Sequence, residues 1–97
     1  MEMTPLWKVQ SGRFAGWYSN DALYDADGKN VGYMAGMVAY ALSGALLGEV
    51  THAEWIGRPA GTEHRSPGPR EHRENVAHAR LADRQPLNLA GWEDPAF

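Results

Sequence analysis

Leu23-Tyr24-Asp25-Ala26-Asp27-Gly28-Lys29-Asn30-Val31-Gly32-Tyr33 decides how the rest of the chain is read. An Asp-Gly step between two runs of aromatic and aliphatic residues is the chemistry of a tight hairpin turn, where the chain needs a positive φ. Stepping outward by sixteen residues finds the same feature again. Gly12, Gly28 and Gly44 align, preceded by Ser11, Asp27 and Ser43, and four residues further on Gly16, Gly32 and Gly48 align. The second half of each unit also matches, as Ala22-Leu23-Tyr24, Val38-Ala39-Tyr40 and Glu54-Trp55-Ile56, with Trp7 falling in the column of Leu23, Ala39 and Trp55. Self-similarity at a fixed period marks a repeat architecture, and here the repeated unit is strand, turn, strand.

The spacing predicts strands over Leu6–Gln10, Arg13–Tyr18, Ala22–Asp25, Lys29–Met34, Met37–Ala41, Ala45–Val50 and Ala53–Gly57. An eighth over Thr62–Arg65 would pair back onto Ala53–Gly57 and close an even antiparallel meander. Gly12, Gly28 and Gly44 are then the turn residues. Gly16, Gly32 and Gly48 fall inside strands, where glycine is normally a loss, so their recurrence implies backbones crowded together near the axis. A fourth copy is degraded: Ala60 stands where the period asks for glycine, with Gly61 after it and Pro59 before.

The stretch Gly16-Trp17-Tyr18 through Tyr33, with Gly36-Met37-Val38-Ala39-Tyr40, Ser43-Gly44, Leu47-Gly48-Glu49-Val50 and Ile56-Gly57-Arg58, resembles the 4-fold β-flower domain, a family of small bacterial and phage proteins. The resemblance covers about fifty residues and leaves out Gly61 to Phe97. It implies an all-β, pseudo-symmetric shallow barrel of about four hairpin petals. It brings no activity and no catalytic residues with it.

Composition narrows the function classes. At ninety-seven residues the core must be thin, so the four Trp, four Tyr and two Phe carry much of it. No cysteine is present, which removes disulfides, thiolate nucleophiles and thiolate zinc sites. Met1-Glu2-Met3-Thr4-Pro5 has neither a basic start nor an apolar run, so no signal peptide is read there and a cytoplasmic location, or one within a phage particle, is the expectation. Residues 1–57 hold Lys8, Arg13 and Lys29 against six acids, and residues 58–97 balance six Arg with six acids. With no clustered basic face, nucleic acid is not expected as a partner.

Val31 to Gly48 is free of charge and contains Gly32-x-x-x-Gly36 and Gly44-x-x-x-Gly48, a spacing that suits packed transmembrane helices. Asp25, Asp27 and Lys29 occupy the matching columns one repeat earlier, so the segment reads as an apolar copy of a charged hairpin, and no membrane span is expected.

Candidate chemistry is sparse. Asp25-Ala26-Asp27-Gly28 has the centre of a calcium loop, but Leu23 and Met34 stand where further oxygen ligands are needed, which favours a plain hairpin turn. His72 and His78 are six apart, unlike helical metal ligands, and with His52 and His64 they read as surface or turn histidines. No nucleophile elbow and no phosphate loop is present. Trp7, Trp17, Tyr18, Tyr24, Tyr33 and Tyr40 form either a stacking platform or the core. No catalytic, metal or cofactor residues are therefore expected.

The organisation expected is a hairpin-repeat domain over 1–65 and a C-terminal extension over 66–97. Ser66-Pro67-Gly68-Pro69 ends the sheet, Arg70–Arg84 has helical composition with an Arg70–Glu74 pair and a stop at Pro86, and residues 85–97 form a tail. Leu87, Leu89, Trp92 and Phe97 are the tail's apolar anchors. The function expected is non-enzymatic, an interaction or structural module whose tail contacts its own barrel, a second copy or another protein. The alternative is a binder of a small apolar or lipid-like ligand at the barrel axis.

Overall fold

Alternation along each strand sorts the side chains onto two faces. Leu6, Ala15, Leu23, Met34, Ala39, Leu47, Val50 and Ile56 fall on one face and pack as a single buried cluster, while Trp7, Phe14 and Trp17 form a second. In the computed structural model, which describes residues 2–97, these runs form β1 (Thr4–Lys8), β2 (Phe14–Ser19), β3 (Ala22–Asp25), β4 (Asn30–Ala35), β5 (Val38–Ala41), β6 (Leu46–Thr51) and β7 (Trp55–Pro59). A two-residue β8 (Trp92–Glu93) follows far along the chain.

Consecutive strands pair antiparallel, and β1 then meets β7 in parallel through Trp7↔Trp55 and Lys8↔Ile56. The chain is thus an all-β, closed seven-stranded barrel with one added strand. Closure removes the free edges that would otherwise recruit other strands. The molecule is a shallow disc of 34 × 32 × 18 Å. Its interior is filled by side chains, with Leu6, Leu23, Ala39 and Ile56 wholly inaccessible.

Gly16, Gly32 and Gly48 pair with Leu6, Leu23 and Ala39, each beside a register shift that skips one residue of the longer strand. The skipped residues are Ala15, Val31 and Leu47, and all three pack on the central cluster. Each bulge therefore adds one apolar side chain to a core that has few. A Cβ on Gly16 or Gly32 would strike the carbonyl of Tyr24 or Tyr40, so the crowding lies between neighbouring strands.

The register corrects one column of the repeat. Leu6, not Trp7, stands opposite Gly16 as Leu23 stands opposite Gly32, and Ile56, not Trp55, faces Val50 as Ala39 faces Met34. In the first hairpin the reason is loop length. Lys8 N–H donates to Arg13 across four residues, whereas Asp25 and Ala41 donate to Lys29 and Ala45 across three.

Two further expectations fail. Thr62–Arg65 forms no strand, and the partner of β7 is instead β8, through Arg58↔Glu93 and Pro59↔Trp92. Residues 70–84 form no helix. The backbone donors that a helix would spend internally go to the barrel: Arg70 N–H to Leu42, Val76 N–H to Gly28 and Arg84 N–H to Gly12. Arg70 pairs with Asp21 rather than with Glu74. A fifteen-residue helix would reach only about 22 Å, too short to touch all three hairpins, whereas an extended chain can.

Residues 60–91 are consequently a belt. They leave β7 at its outer end, pass the third, second and first hairpins in turn, and return to β7, where Ala60 N–H donates to the Gly91 carbonyl. About thirty-two extended residues span roughly 105 Å, and the rim of a disc this wide measures about the same. The belt has almost no slack. Among the described residues no helix is long and apolar enough to cross a membrane, and Val31 to Gly48 is divided among β4, β5 and β6.

Candidate interaction surface

The face of the sheet turned away from the central cluster carries Trp7, Phe14, Trp17, Tyr24, Tyr33 and Tyr40. All six are at most 5% exposed, although a strand's outer face would ordinarily meet solvent. The belt is part of what covers them. Arg84 lies 3.4 Å from the centre of the Trp7 ring, His78 packs on Trp17 at 5.1 Å between centroids, and Arg70 lies 4.1 Å above Tyr33. Cation–π contact and stacking use the aromatic faces, and the ring edges are tied down as well. Trp7 Nε1 donates to Ala82 O at 2.9 Å and the Tyr33 hydroxyl donates to Gly68 O.

Belt and barrel keep step with each other. Gly68, Val76 and Arg84 are eight residues apart and lie against Gly44, Gly28 and Gly12, which are sixteen apart in the opposite order. Asn75 Oδ1 accepts from the Asn30 N–H at 2.9 Å, and Asp83 Oδ1 accepts from the Phe14 N–H at 2.8 Å, again eight against sixteen. Pro67 occupies the next such place and has no side-chain acceptor. Asn30 is 3% exposed and fully engaged: its Nδ2 donates to Leu23 O and Gly32 O, and its Oδ1 accepts from Arg73 N–H. A buried amide with every group satisfied fixes a register as well as holding it.

Charge supplements these bonds. Arg70 and Arg73 both reach Asp21, Arg80 reaches Asp27 and Arg84 reaches Glu54. The Arg73 hydrogen bond holds the Asp21 carboxyl below its ordinary value, and the charges of Arg73 and Arg70 add to this against a smaller desolvation. These side chains are about half exposed, so each pair is worth little in stability and more in steering. His64 Nε2 sits 3.1 Å from Glu49 Oε2 but is not aligned for a hydrogen bond.

The turn glycines lie under the belt. Gly12, Gly28 and Gly44 have φ of 73°, 85° and 95° and are buried, because belt atoms occupy the space above each. Asp25 Oδ1 accepts from Asp27 and Lys29 N–H, which makes Asp25–Lys29 a hairpin turn closed by its own carboxylate.

The ends of the belt meet in a clasp across the β1–β7 seam. Gln10 Nε2 donates to the carbonyls of Leu89 and Trp92, Gln10 N–H donates to Asp94 Oδ1 at 2.8 Å, and Arg58 Nε donates to Asp94 O. Leu87, Leu89, Trp92 and Phe97 are all partly buried, and Phe97 lies beyond the clasp, against the central cluster beside Ala15 and Val31. Gln10, Asn30, Asn75, Asp83 and Asp94 were not singled out by sequence. The signal that could have found three of them is the Asn75/Asp83 spacing, half the barrel's period and aimed at Asn30.

A cleft of about 330 Å³ opens where the first two hairpins meet the belt. Ala15, Val31 and Phe97 line it together with Lys8, Arg13, Asp25 and Asp83. Among the described residues no group of three or more His, Cys, Asp or Glu is placed to hold a metal ion. Comparison with protein-family models, with curated proteins and with solved structures gives no match.

Proposed function

We propose that this chain is a non-enzymatic interaction module, a barrel of four pseudo-equivalent hairpins of the β-flower kind, whose C-terminal extension makes its contacts with a second copy or another protein. In this reading β7 and β8 are the fourth hairpin, opened by the insertion of the belt. Leu6, Leu23, Ala39 and Ile56, four of the five wholly buried hydrophobics beside Val9, support it with one residue from each hairpin. We propose, on the resemblance alone, a role in a bacterial or phage assembly, in the cytoplasm or within a particle.

The observation that carries the reading is the belt's mode of docking. It is held by backbone donors at Arg70, Val76 and Arg84 and by side-chain caps at Asn75 and Asp83, eight residues apart, which is how an extended peptide is read by a receptor surface. Light scattering and pull-down on the parent chain beside Trp92→Ala and Asn75→Ala test it. Association in the parent that both variants lose, with β circular dichroism retained, supports the reading. Association that neither variant alters counts against it.

A second reading, a small-ligand site, is favoured by the cleft, whose volume is at the lower end for a ligand pocket. The charged side chains around its apolar floor suit an amphipathic ion better than a lipid-like ligand.

A further inference from the structure

We infer that the belt is exchangeable between two copies of this chain, each barrel being wrapped by residues 66–97 of the other. This rests on the reading that the extension mediates contacts, and it names the partner.

The surface that receives the belt is specific. It asks for an extended segment with two acceptor side chains eight residues apart, an arginine or histidine over Trp7, Trp17 and Tyr33, and an apolar anchor at the clasp. The segment that fits this pattern is the belt itself, so the partner that carries it is a second copy. Charge agrees with this. Arg70, Arg73, Arg80 and Arg84 outnumber the three acids within 66–84, whereas the surface they meet presents Asp21, Asp27 and Glu54.

The connection also permits it. Belt and barrel are joined through Ala60, Gly61, Thr62 and Glu63, all exposed, and no heavy atom lies near the position a Cβ would take on Gly61. Releasing residues 60–65 provides roughly 20 Å of extended chain, slightly more than the 18 Å thickness of the disc. Two stacked barrels can thus trade belts with the bonds of residues 66–97 to the barrel remade, the contacts of Ala60, His64 and Arg65 being given up to the crossing. Exchange of an identical element is a low-cost route to a dimer.

The absence of cysteine makes the test direct. Arg58 and Glu93 are cross-strand partners, within the Cα separation a disulfide requires. The doubly substituted chain Arg58→Cys/Glu93→Cys should oxidise internally when refolded dilute, which verifies that the belt docks in this register and that the substitutions fold. Chains carrying Arg58→Cys alone and Glu93→Cys alone are then co-refolded at about 1 mM, where a second copy competes with a short tether. Exchange predicts a covalent heterodimer at least fivefold more abundant than in a control mixture of Arg58→Cys with Lys29→Cys. Heterodimer at the control level, with the double variant oxidising normally, overturns exchange and leaves a different protein as the belt's partner. Failure of the double variant to oxidise overturns exchange together with the docked belt on which it depends.

Discussion

The backbone N–H of Asn30 donates to Asn75 Oδ1 at 2.9 Å, and the Asn30 side chain returns the contact by accepting from Arg73 N–H at 2.7 Å. One buried barrel residue thus fixes two belt residues, Arg73 and Asn75. Asn75→Ala strands a buried N–H, which costs about 1–3 kcal/mol. Asp83→Ala does the same at Phe14, far enough away for the two losses to add. Urea titrations of the two single variants and the double variant should show this additivity; a double variant no less stable than either single would contradict it.

Gly28 combines a positive φ with the Val76 carbonyl directly above it. A side chain there faces both backbone strain, about 1 kcal/mol or more, and a clash with the belt. Gly28→Val and Gly44→Val should each lower Tm clearly and expose residues 66–84 to protease, whereas Lys29→Ala, at an exposed neighbouring position, should do neither. Equal melting and equal cleavage for all three would remove the turn glycines from under the belt.

Asp21 gives a pH signature. Its folded-state value is lowered, so its contribution is present above the ordinary value of 3.8 and is lost as pH falls below that toward the folded value. Amide protection of the belt near Arg73 should weaken below pH 3.8 in the parent, and Asp21→Asn should show the weakened protection already at pH 6. Protection that is unchanged by Asp21→Asn would assign the anchor to hydrogen bonding alone.

The strands were legible in the sequence because turn chemistry and alternation are local. Ser11-Gly12, Asp27-Gly28 and Ser43-Gly44 lie in the loops of three hairpins, and β3 covers the predicted Ala22–Asp25. The first hairpin's extra loop residue was not visible, which put Trp7 in a column that belongs to Leu6. The belt was illegible for a different reason. Its partners are carbonyls of Leu42, Gly28 and Gly12, and a sequence does not display where a barrel leaves its backbone acceptors free. Arg70 and Glu74, spaced as helical neighbours, pointed to a helix that gives up too many barrel contacts to form. The eighth strand was sought next to β7 in sequence; the chain supplies it only after a full circuit.

Site-resolved hydrogen exchange across residues 70–88 tests the central claim, that this segment is an extended belt held at intervals. A docked, extended belt exchanges slowly at Arg70, Arg73, Val76, Arg84 and Asn88, whose N–H groups donate to the barrel, with Ala77, Ala79, Leu81 and Gln85 exchanging freely. A continuous protected run through 74–84 would indicate a helix, and no protection anywhere in the segment would indicate an undocked tail; either result contradicts the account.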